Sequence, residues 1–443
     1  MYNSMVSYIK SLERDIQLQR IVTLTSLGTL LHWYCFYALS SILPYIFSTH
    51  LKIVANGVNL MSWFAIVLGF FIRPIGTILL APRIDLLGRK SVFTSSLNLL
   101  SLSVFIILLF PFDSAPVGLS ITMILISRLL QGVAISMEYG AAISYIYESV
   151  PQEKTGFFTG ILQLTAPIGV LGSELMILVS SQMVSEEIYH LWFWKFPLFF
   201  GMVLFFLSNR IRKDLPESPV YELMKKRKEL SIEPLKEIFR SKVIKKDILL
   251  ALFSITAAQG ASFYLMHSFI RNYLSLTFSE SNHFVMFFMI AIMTVSWPAA
   301  IFFAKQSDKT SPKVLFLRLL IANFILIPVF FLLFEISKIK GPGAWAVFVP
   351  IAILYMGSLS LYGVTGKLLA DMFPPRLRGT SISIPYHIGN GIFGGLIPVL
   401  TSMTFQKKSD APWPVLIYVC ALLLIAILIN LFSINRLKSR ESI

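Results

Sequence analysis

Two cysteines occur in 443 residues, Cys35 and Cys420, and both sit inside apolar runs. That leaves neither a disulfide framework nor the paired spacing of a cysteine metal site. No Asn-X-Ser/Thr sequon occurs, so nothing marks a glycosylated surface. No G-x-x-x-x-G-K-[ST] loop occurs either, so ATP-driven pumping has no phosphate cradle. Charge is scarce: 14% of the residues are Asp, Glu, Lys or Arg, against roughly 25% in an ordinary soluble domain. No nucleophile–base or metal-ligand constellation is legible. The chain therefore reads as a non-enzyme with no cofactor and no metal.

What is present is apolar surface. Hydrophobic residues make up 56% of the chain, more than a water-soluble fold needs. A helix crosses the hydrocarbon core with roughly 20 apolar residues. The sequence predicts twelve such spans, near 21–47, 57–81, 91–111, 116–147, 156–182, 191–209, 248–274, 283–304, 314–336, 344–370, 380–404 and 413–435. Barrel strands alternate in polarity and are about half as long, so these continuous runs predict an all-α membrane protein. The apolar run after Arg20 is too long for a signal-peptide core and is read as a retained first span.

The net charge of +15 suggests nucleic acid until its placement is considered. With an inside N-terminus, the outer loops hold seven cations: Lys52, Lys195, Arg271, Lys338, Lys340, Lys407 and Lys408. Arg73 and Arg128 fall within spans, and the other 29 of the 38 lie on the inner side. This is the positive-inside bias of a bilayer protein. It predicts cytoplasmic termini, a lipid partner and no nucleic-acid or nucleotide partner.

The longest polar stretch, 210–247, carries twelve Lys or Arg and seven Asp or Glu and divides six spans from six. It separates an N-terminal bundle, 1–209, from a C-terminal bundle, 248–443. The halves repeat at an offset of 223 residues. Ala81, Asp85 and Lys90 fall on Ala304, Asp308 and Lys313. Tyr139-Gly140 falls on Tyr362-Gly363, and Glu148, Pro151 and Gly156 fall on Asp371, Pro374 and Gly379. A parallel repeat of this kind puts a solute site between the halves near mid-membrane, with rocking as the transport motion.

The turn after span 2 reads Ala81-Pro-Arg-Ile-Asp85-Leu-Leu-Gly88-Arg89-Lys90. It closely resembles the G-x-x-x-D-R-x-G-R-[RK] signature of the major facilitator superfamily, with Ala81 for the first glycine and Leu86 for the first arginine. Further runs narrow the resemblance: Arg128-Leu-Leu-Gln131-Gly132, Glu138-Tyr139-Gly140, Trp194-Lys-Phe-Pro197, Leu215-Pro216-Glu217-Ser218-Pro219, Phe263-Tyr264, Asp371-Met-Phe373-Pro374-Pro-Arg376-Leu-Arg378 and Tyr386-His-Ile-Gly389-Asn390. Together these look like the metabolite:proton symporter branch, which includes proline/betaine, α-ketoglutarate, citrate and shikimate carriers. The likeness runs from about residue 24 to about residue 430. It implies a major-facilitator fold of two six-helix bundles and proton-coupled symport of a small organic solute. It also implies a bacterial inner membrane, a monomer, and gating at Asp85, Gly88, Arg89, Lys90, Asp308 and Lys313.

Polar residues inside the spans are the candidate site. The resemblance matches Arg73 to the family's span-2 arginine. An intramembrane arginine is costly unless it faces a cavity or a partner, and guanidinium grips carboxylates bidentately. A substrate contact and a buried ion pair both fit. Arg128 and Glu138, ten residues apart on span 4, share roughly one face. The resemblance makes Arg128 a gate or proton-linkage residue and Glu138 a site and coupling residue; a structural pair with other groups is the alternative. Glu174, near the middle of span 5, is a second candidate carboxyl, with a structural or partner role as the preferred reading. On span 7, Gln259, Tyr264 and His267 line a pathway or bond between helices, and His387 and Asn390 on span 11 carry the same two readings.

Span 1 departs from the resemblance. The family usually shows Glu-Trp-[Tyr/Phe]-Asp-Phe, whereas the run here is His32-Trp33-Tyr34-Cys35-Phe36. The kept aromatic frame implies Tyr34 in the substrate region. His32, which titrates near neutral pH, is either a coupling group or a packed side chain. Losing two acids leaves a uniporter or anion exchanger as the rival of proton symport. A non-transporting membrane sensor is a rival of another class, marked by an added domain or long tail that the sequence does not show. Gly389-Asn-Gly391-Ile-Phe-Gly394 fits a dinucleotide fingerprint in letters only. It lies in a span, where small residues let helices approach.

Overall fold

The computed structural model describes residues 2–53, 55–212, 215–271, 273–274, 282–340, 348–406 and 413–441, and no strand occurs among them. The segments 275–281, 341–347 and 407–412, with Lys407 and Lys408, lie outside the described residues. Twelve helical passes are numbered here as spans. Spans 1 to 6 are Tyr2–Tyr45, Ala55–Leu80, Arg89–Leu109, Val117–Ser149, Thr155–Met183 and Phe196–Arg212. Span 7 runs through Lys242–Ala251, Leu252–Thr256, Ala257–Tyr264 and Leu265–Ile270. Spans 8 to 10 are Asn282–Gln306, Pro312–Lys340 and Phe348–Met372. Span 11 joins Arg378–Ile388, Gly389–Gly394 and Leu396–Gln406, and span 12 is Trp413–Glu441.

The starts of three spans differ most from the sequence reading. Span 1 begins far upstream of residue 21, because residues 2–20 contain no proline or glycine to stop a helix. Span 7 begins at Lys242 rather than 248, where the Ser241 hydroxyl caps it by accepting from the Ile244 amide at 3.2 Å. Span 6 begins at Phe196 rather than 191. A separate short helix, Glu186–Leu191, precedes it, and Pro197 sits in the first turn, where a missing N–H costs nothing.

Spans 1–6 form one six-helix bundle, in which span 1 packs on 5 and 6 and span 4 on 2 and 3. Spans 7–12 form the second, in which span 10 packs on 8 and 9 and span 12 on 7 and 9. The bundles meet along two seams. Span 5 lies against 8 and 10, and spans 2 and 4 lie against 11. Away from the seams, apolar side chains such as Leu79, Phe206 and Phe432 are exposed, forming the belt that lipid covers.

Spans 7 and 11 are irregular where they approach the seams. Their π-helical turns, Leu252–Thr256, Leu265–Ile270 and Gly389–Gly394, widen the helix locally. The Thr256 hydroxyl ties the two spans together by donating to the Pro385 carbonyl at 2.7 Å. At Gly391 the backbone comes so near span 2 that a Cβ would stand 2.9 Å from the Phe70 carbonyl.

The seams close on small residues. A side chain at Gly140 would collide with Ser383 and the Gly379 carbonyl of span 11, and one at Gly160 with Ala304 of span 8. Gly140→Leu and Gly160→Leu are therefore expected to pry the bundles apart near Asp85 and Asp308. The check is maleimide labelling of Ser307→Cys, now buried, in a chain whose Cys35 and Cys420 are alanine. Labelling should become several-fold faster in both glycine variants. An unchanged rate would mean that this seam is not the moving interface.

Candidate functional site

The middle of the seam is built on a cation among rings. Arg73 of span 2 is fully buried, with its guanidinium 4.4 Å from the Phe70 ring, 4.7 Å from Phe36 and 5.3 Å from Trp33. Ring quadrupoles stabilise such a charge. Its Nη1 reaches across to the Tyr264 hydroxyl of span 7 at 3.4 Å, a long bond, while Nε and Nη2 have no hydrogen-bond acceptor among the described residues. Arg128 of span 4 lies over the same Phe36 ring at 5.1 Å. It donates to the Phe36 carbonyl at 3.0 Å, to Gln131 at 2.9 Å and to Ser40 at 3.1 Å. Arg128 thus fastens span 1 to span 4 inside one bundle, whereas Arg73 faces the other bundle.

Glu138 does not meet Arg128. Its carboxylate accepts from the Thr29 hydroxyl, nearly two turns along span 1 from Phe36, the Arg128 partner. The adjacent Tyr139 crosses the seam and stacks face to face on Tyr386 of span 11. Tyr386 shares a 3.0 Å hydroxyl contact with Tyr362 of span 10, and the Gln163 amide of span 5 donates to Tyr139 at 2.9 Å and to the Tyr362 carbonyl at 3.2 Å. Four spans from both bundles are joined by this buried network, in which each bond polarises its neighbours. His387, next to Tyr386, presents its ring to the edges of Tyr139 and Tyr386, and neither ring nitrogen has a hydrogen-bond partner among the described residues.

The other candidates separate. Tyr34 turns into the first bundle, where its hydroxyl donates to the Pro197 carbonyl at 2.8 Å and its ring meets Phe200, away from the seam. His32 Nδ1 lies 2.9 Å from the Gly28 carbonyl one turn back on its own helix. Gln259 accepts from Asn390 at 3.3 Å within the second bundle, and its Nε2 lacks an acceptor among the described residues. His267 shares a 2.6 Å contact with the Tyr355 hydroxyl. One turn beyond, Arg271 of span 7 pairs with Glu174 of span 5 across the seam. Trp33, Tyr264, Tyr362, Tyr386 and His387 are all 0–3% exposed, so the central layer is shut from solvent.

On the face bearing the two short turns, the 223-residue repeat becomes a pair of latches. Asp85 accepts from the amides of Gly379 at 3.1 Å and Thr380 at 2.9 Å, and from the Thr380 hydroxyl at 2.6 Å, at the start of span 11. Asp308 accepts from the amides of Gly156 at 2.6 Å and Phe157 at 2.8 Å, at the start of span 5. In both cases a carboxylate of one bundle caps a helix of the other, where free N–H groups and the helix dipole favour negative charge.

The Asp85 latch is the more heavily built. Arg89 lies 3.4 Å from Asp85 and donates to Glu148 at 3.1 and 3.2 Å and to the Pro375 carbonyl at 2.7 Å. Arg378 of span 11 donates to Glu148 at 2.9 Å, and Ser218 donates to it as well. Gly88 adopts φ +104°, a value side chains disfavour, and lets Glu217 cap the amides of Arg89 at 3.0 Å and Lys90 at 3.1 Å. Burial pushes the Asp85 carboxyl up, against the pull of Arg89 and of the Thr380 and Gly379 donors. At the Asp308 latch the Lys313 side chain is exposed; Lys367 serves there, 2.7 Å from the Thr155 hydroxyl and 3.9 Å from both Asp308 and Asp371.

Sequence reasoning gave no role to the hub Glu148, to Arg378, to Glu217 or to Arg271. Glu148 stands in the repeat and Arg378 and Glu217 in the quoted runs, yet spacing does not say which carboxylate reaches which bundle.

The Major Facilitator Superfamily profile matches residues 25–384. A putative proline/betaine transporter of Staphylococcus aureus (strain COL) is 25% identical over 423 residues, covering 94% of this chain and 88% of the relative. The inner membrane metabolite transport protein YhjE of Escherichia coli (strain K12) is 27% identical over 408 residues, covering 86% and 87%. Among solved structures, the proton:xylose symporter XylE bound to 6-bromo-6-deoxy-D-glucose superposes with a TM-score of 0.75 at 16% identity, covering 94% of this chain and 95% of that one.

Removing a partner from a buried charge network costs about 3–5 kcal/mol, so Asp85→Asn should open the face that carries it. Hydrogen exchange at the Gly379 and Thr380 amides is expected to accelerate on the order of 10²-fold. Because the bundles are tied at two latches, the Gly156 and Phe157 amides should accelerate with them. Acceleration confined to span 11 would contradict opening of the two bundles as units.

Proposed function

The chain belongs to the Major Facilitator Superfamily, and from that membership we propose that it is a proton-coupled symporter importing a small carboxylate-bearing solute by alternating access. It sits in a bacterial inner membrane as a monomer, with both termini and the Asp85 face in the cytoplasm. Residues 1–209 and 248–443 rock against each other about the solute, joined by 210–247. The observation that carries this reading is Arg73, fully buried at the seam with two guanidinium nitrogens lacking acceptors among the described residues. A carboxylate matches both donors at once.

The remaining residues take roles around that contact. Tyr264 and Gln259 supply the second bundle's side of the solute site. Glu138 takes the proton. Its carboxyl is buried, bonds to Thr29 and adjoins Tyr139, which stacks across the seam, so protonation there alters the packing between bundles. Arg128 fixes span 1, which carries His32, against span 4. The latches at Asp85 and Asp308 hold the cytoplasmic side shut while the outer side exchanges solute, and Arg271–Glu174 closes the outer side. The rival is an uncoupled uniporter or anion exchanger. The uncharged Cys35 and the back-bonded His32, where the resembled family has acids, favour it.

Uptake into proteoliposomes of labelled proline, glycine betaine, α-ketoglutarate, citrate and shikimate, with and without an inward proton gradient, separates these readings. Symport predicts concentrative uptake abolished by an uncoupler. It also predicts that Glu138→Gln loses gradient-driven accumulation while retaining exchange of pre-loaded solute. Gradient-independent equilibration by the unaltered protein would establish the rival and remove Glu138 from coupling.

A further inference from the structure

Transport of a carboxylate-bearing solute leaves the net charge of that solute open, and the seam constrains it. Arg73 and Arg128 lie over one ring, Phe36, at 4.7 and 5.1 Å, and both are fully buried. Their hydrogen bonds go to hydroxyl, backbone carbonyl and side-chain amide oxygens. The acids of the neighbouring spans are engaged elsewhere, Glu138 with Thr29 and Glu174 with Arg271. Two positive charges thus lie close together in a medium where charges act strongly.

The second bundle adds another donor. His387 of span 11 is fully buried, and both ring nitrogens lack hydrogen-bond partners among the described residues. One turn further along span 11, a Cβ at Gly391 would stand 3.6 Å from the Arg73 Cβ. Two unsatisfied, buried polar side chains, one from each bundle, thus stand about one helical turn apart along the contact of spans 2 and 11. An unpaired buried donor is costly, and what relieves Arg73 and His387 together is an acceptor bearing negative charge. The aromatic faces that bind an onium group elsewhere already face a guanidinium here: Trp33, Phe36 and Phe70 all surround Arg73.

We infer that the solute is a net anion, a mono- or dicarboxylate without a fixed positive charge, whose carboxylate is bound between Arg73 of span 2 and His387 of span 11. This rests on the transport reading only in taking the seam as the solute site. A zwitterion brings its positive end into the field of two buried guanidiniums, where the rings of Trp33, Phe36 and Phe70 already face Arg73. A bare carboxylate accepts from Arg73 Nε and Nη2 and from one N–H of a neutral imidazole. It also bridges the bundles, so binding and closure of the seam stabilise each other.

Binding to the purified chain without any gradient tests this independently of proton coupling. The probes are succinate, α-ketoglutarate, citrate and lactate against proline and glycine betaine, read as a rise in the unfolding midpoint and as a Kd. At least one carboxylate anion should stabilise the protein and neither zwitterion should. For that anion, His387→Leu should raise Kd about ten-fold, the loss of one hydrogen bond to a charged group, without lowering the solute-free midpoint. His387→Gln, which keeps an N–H, should recover most of the affinity. Stabilisation by proline or glycine betaine, or by none of the anions, overturns the inference whatever the coupling assay returns. Wild-type affinity in His387→Leu overturns the assignment of His387. So does a His387→Gln protein that binds normally and exchanges solute but loses gradient-driven uptake, since His387 would then carry the proton.

Discussion

A guanidinium held in the middle of a bilayer protein needs negative charge or polarisable surface around it, and much of the seam is arranged by that need. Arg73 obtains surface from Trp33, Phe36 and Phe70, which fixes how spans 1 and 2 pack. It obtains little else from its own bundle. Its hydrogen bond to Tyr264 crosses to the second bundle, and Nε and Nη2 have no acceptor among the described residues. Closing the two bundles without an anion leaves these donors unmet, whereas closing them on a carboxylate satisfies them. On the proposed function, solute binding and conformational change are coupled through this difference, since a ligand shifts an equilibrium only by its differential affinity for the two states.

The latches supply the opposing term. Asp85 and Asp308 each cap a helix of the other bundle, so the face they occupy stays shut by hydrogen bonds that need no solute. The two are not equal. Asp85 is backed by Arg89, Glu148 and Arg378, which are largely dehydrated, while Asp308 has the more exposed Lys367 near it. Burial of Asp85 penalises its charge even among these partners. A latch that is geometrically complete but electrostatically costly is reversible, which a moving interface requires. Glu217, Ser218 and Tyr221 bond to the first bundle, and Glu237 pairs with Arg376 of the second, so the segment between the bundles spans the same face.

Much of this was legible in the sequence because it is written in spacing and in rare residues. Apolar run length gave the twelve passes, since a bilayer sets that length physically. The 223-residue offset gave Asp85 with Asp308 and Gly156 with Gly379, and those are the residues that meet in two crossed pairs. Orientation was not legible. The spans are apolar on nearly every side, so no polar stripe says which way a side chain points. Trp33 therefore faces the seam and Tyr34 the interior of its own bundle, although both stand in one aromatic run. Arg128 and Glu138 share a helix face yet meet span 1 nearly two turns apart. The pairing of Glu174 with Arg271 depends on contact between helices about 97 residues apart in sequence, which no local pattern records.

The central claim is that Arg73 binds a carboxylate through two aligned donors rather than through charge alone. It is tested most directly by the affinity of the purified protein for its carboxylate solute in three forms: unaltered, Arg73→Lys and Arg73→Gln. Lysine keeps the charge but not the fork. The account predicts a graded loss, with Arg73→Lys weakened about ten-fold or more and Arg73→Gln weakened further still. Equal affinity in all three, with each protein folded, would contradict it and leave Arg73 a packing residue of spans 1 and 2.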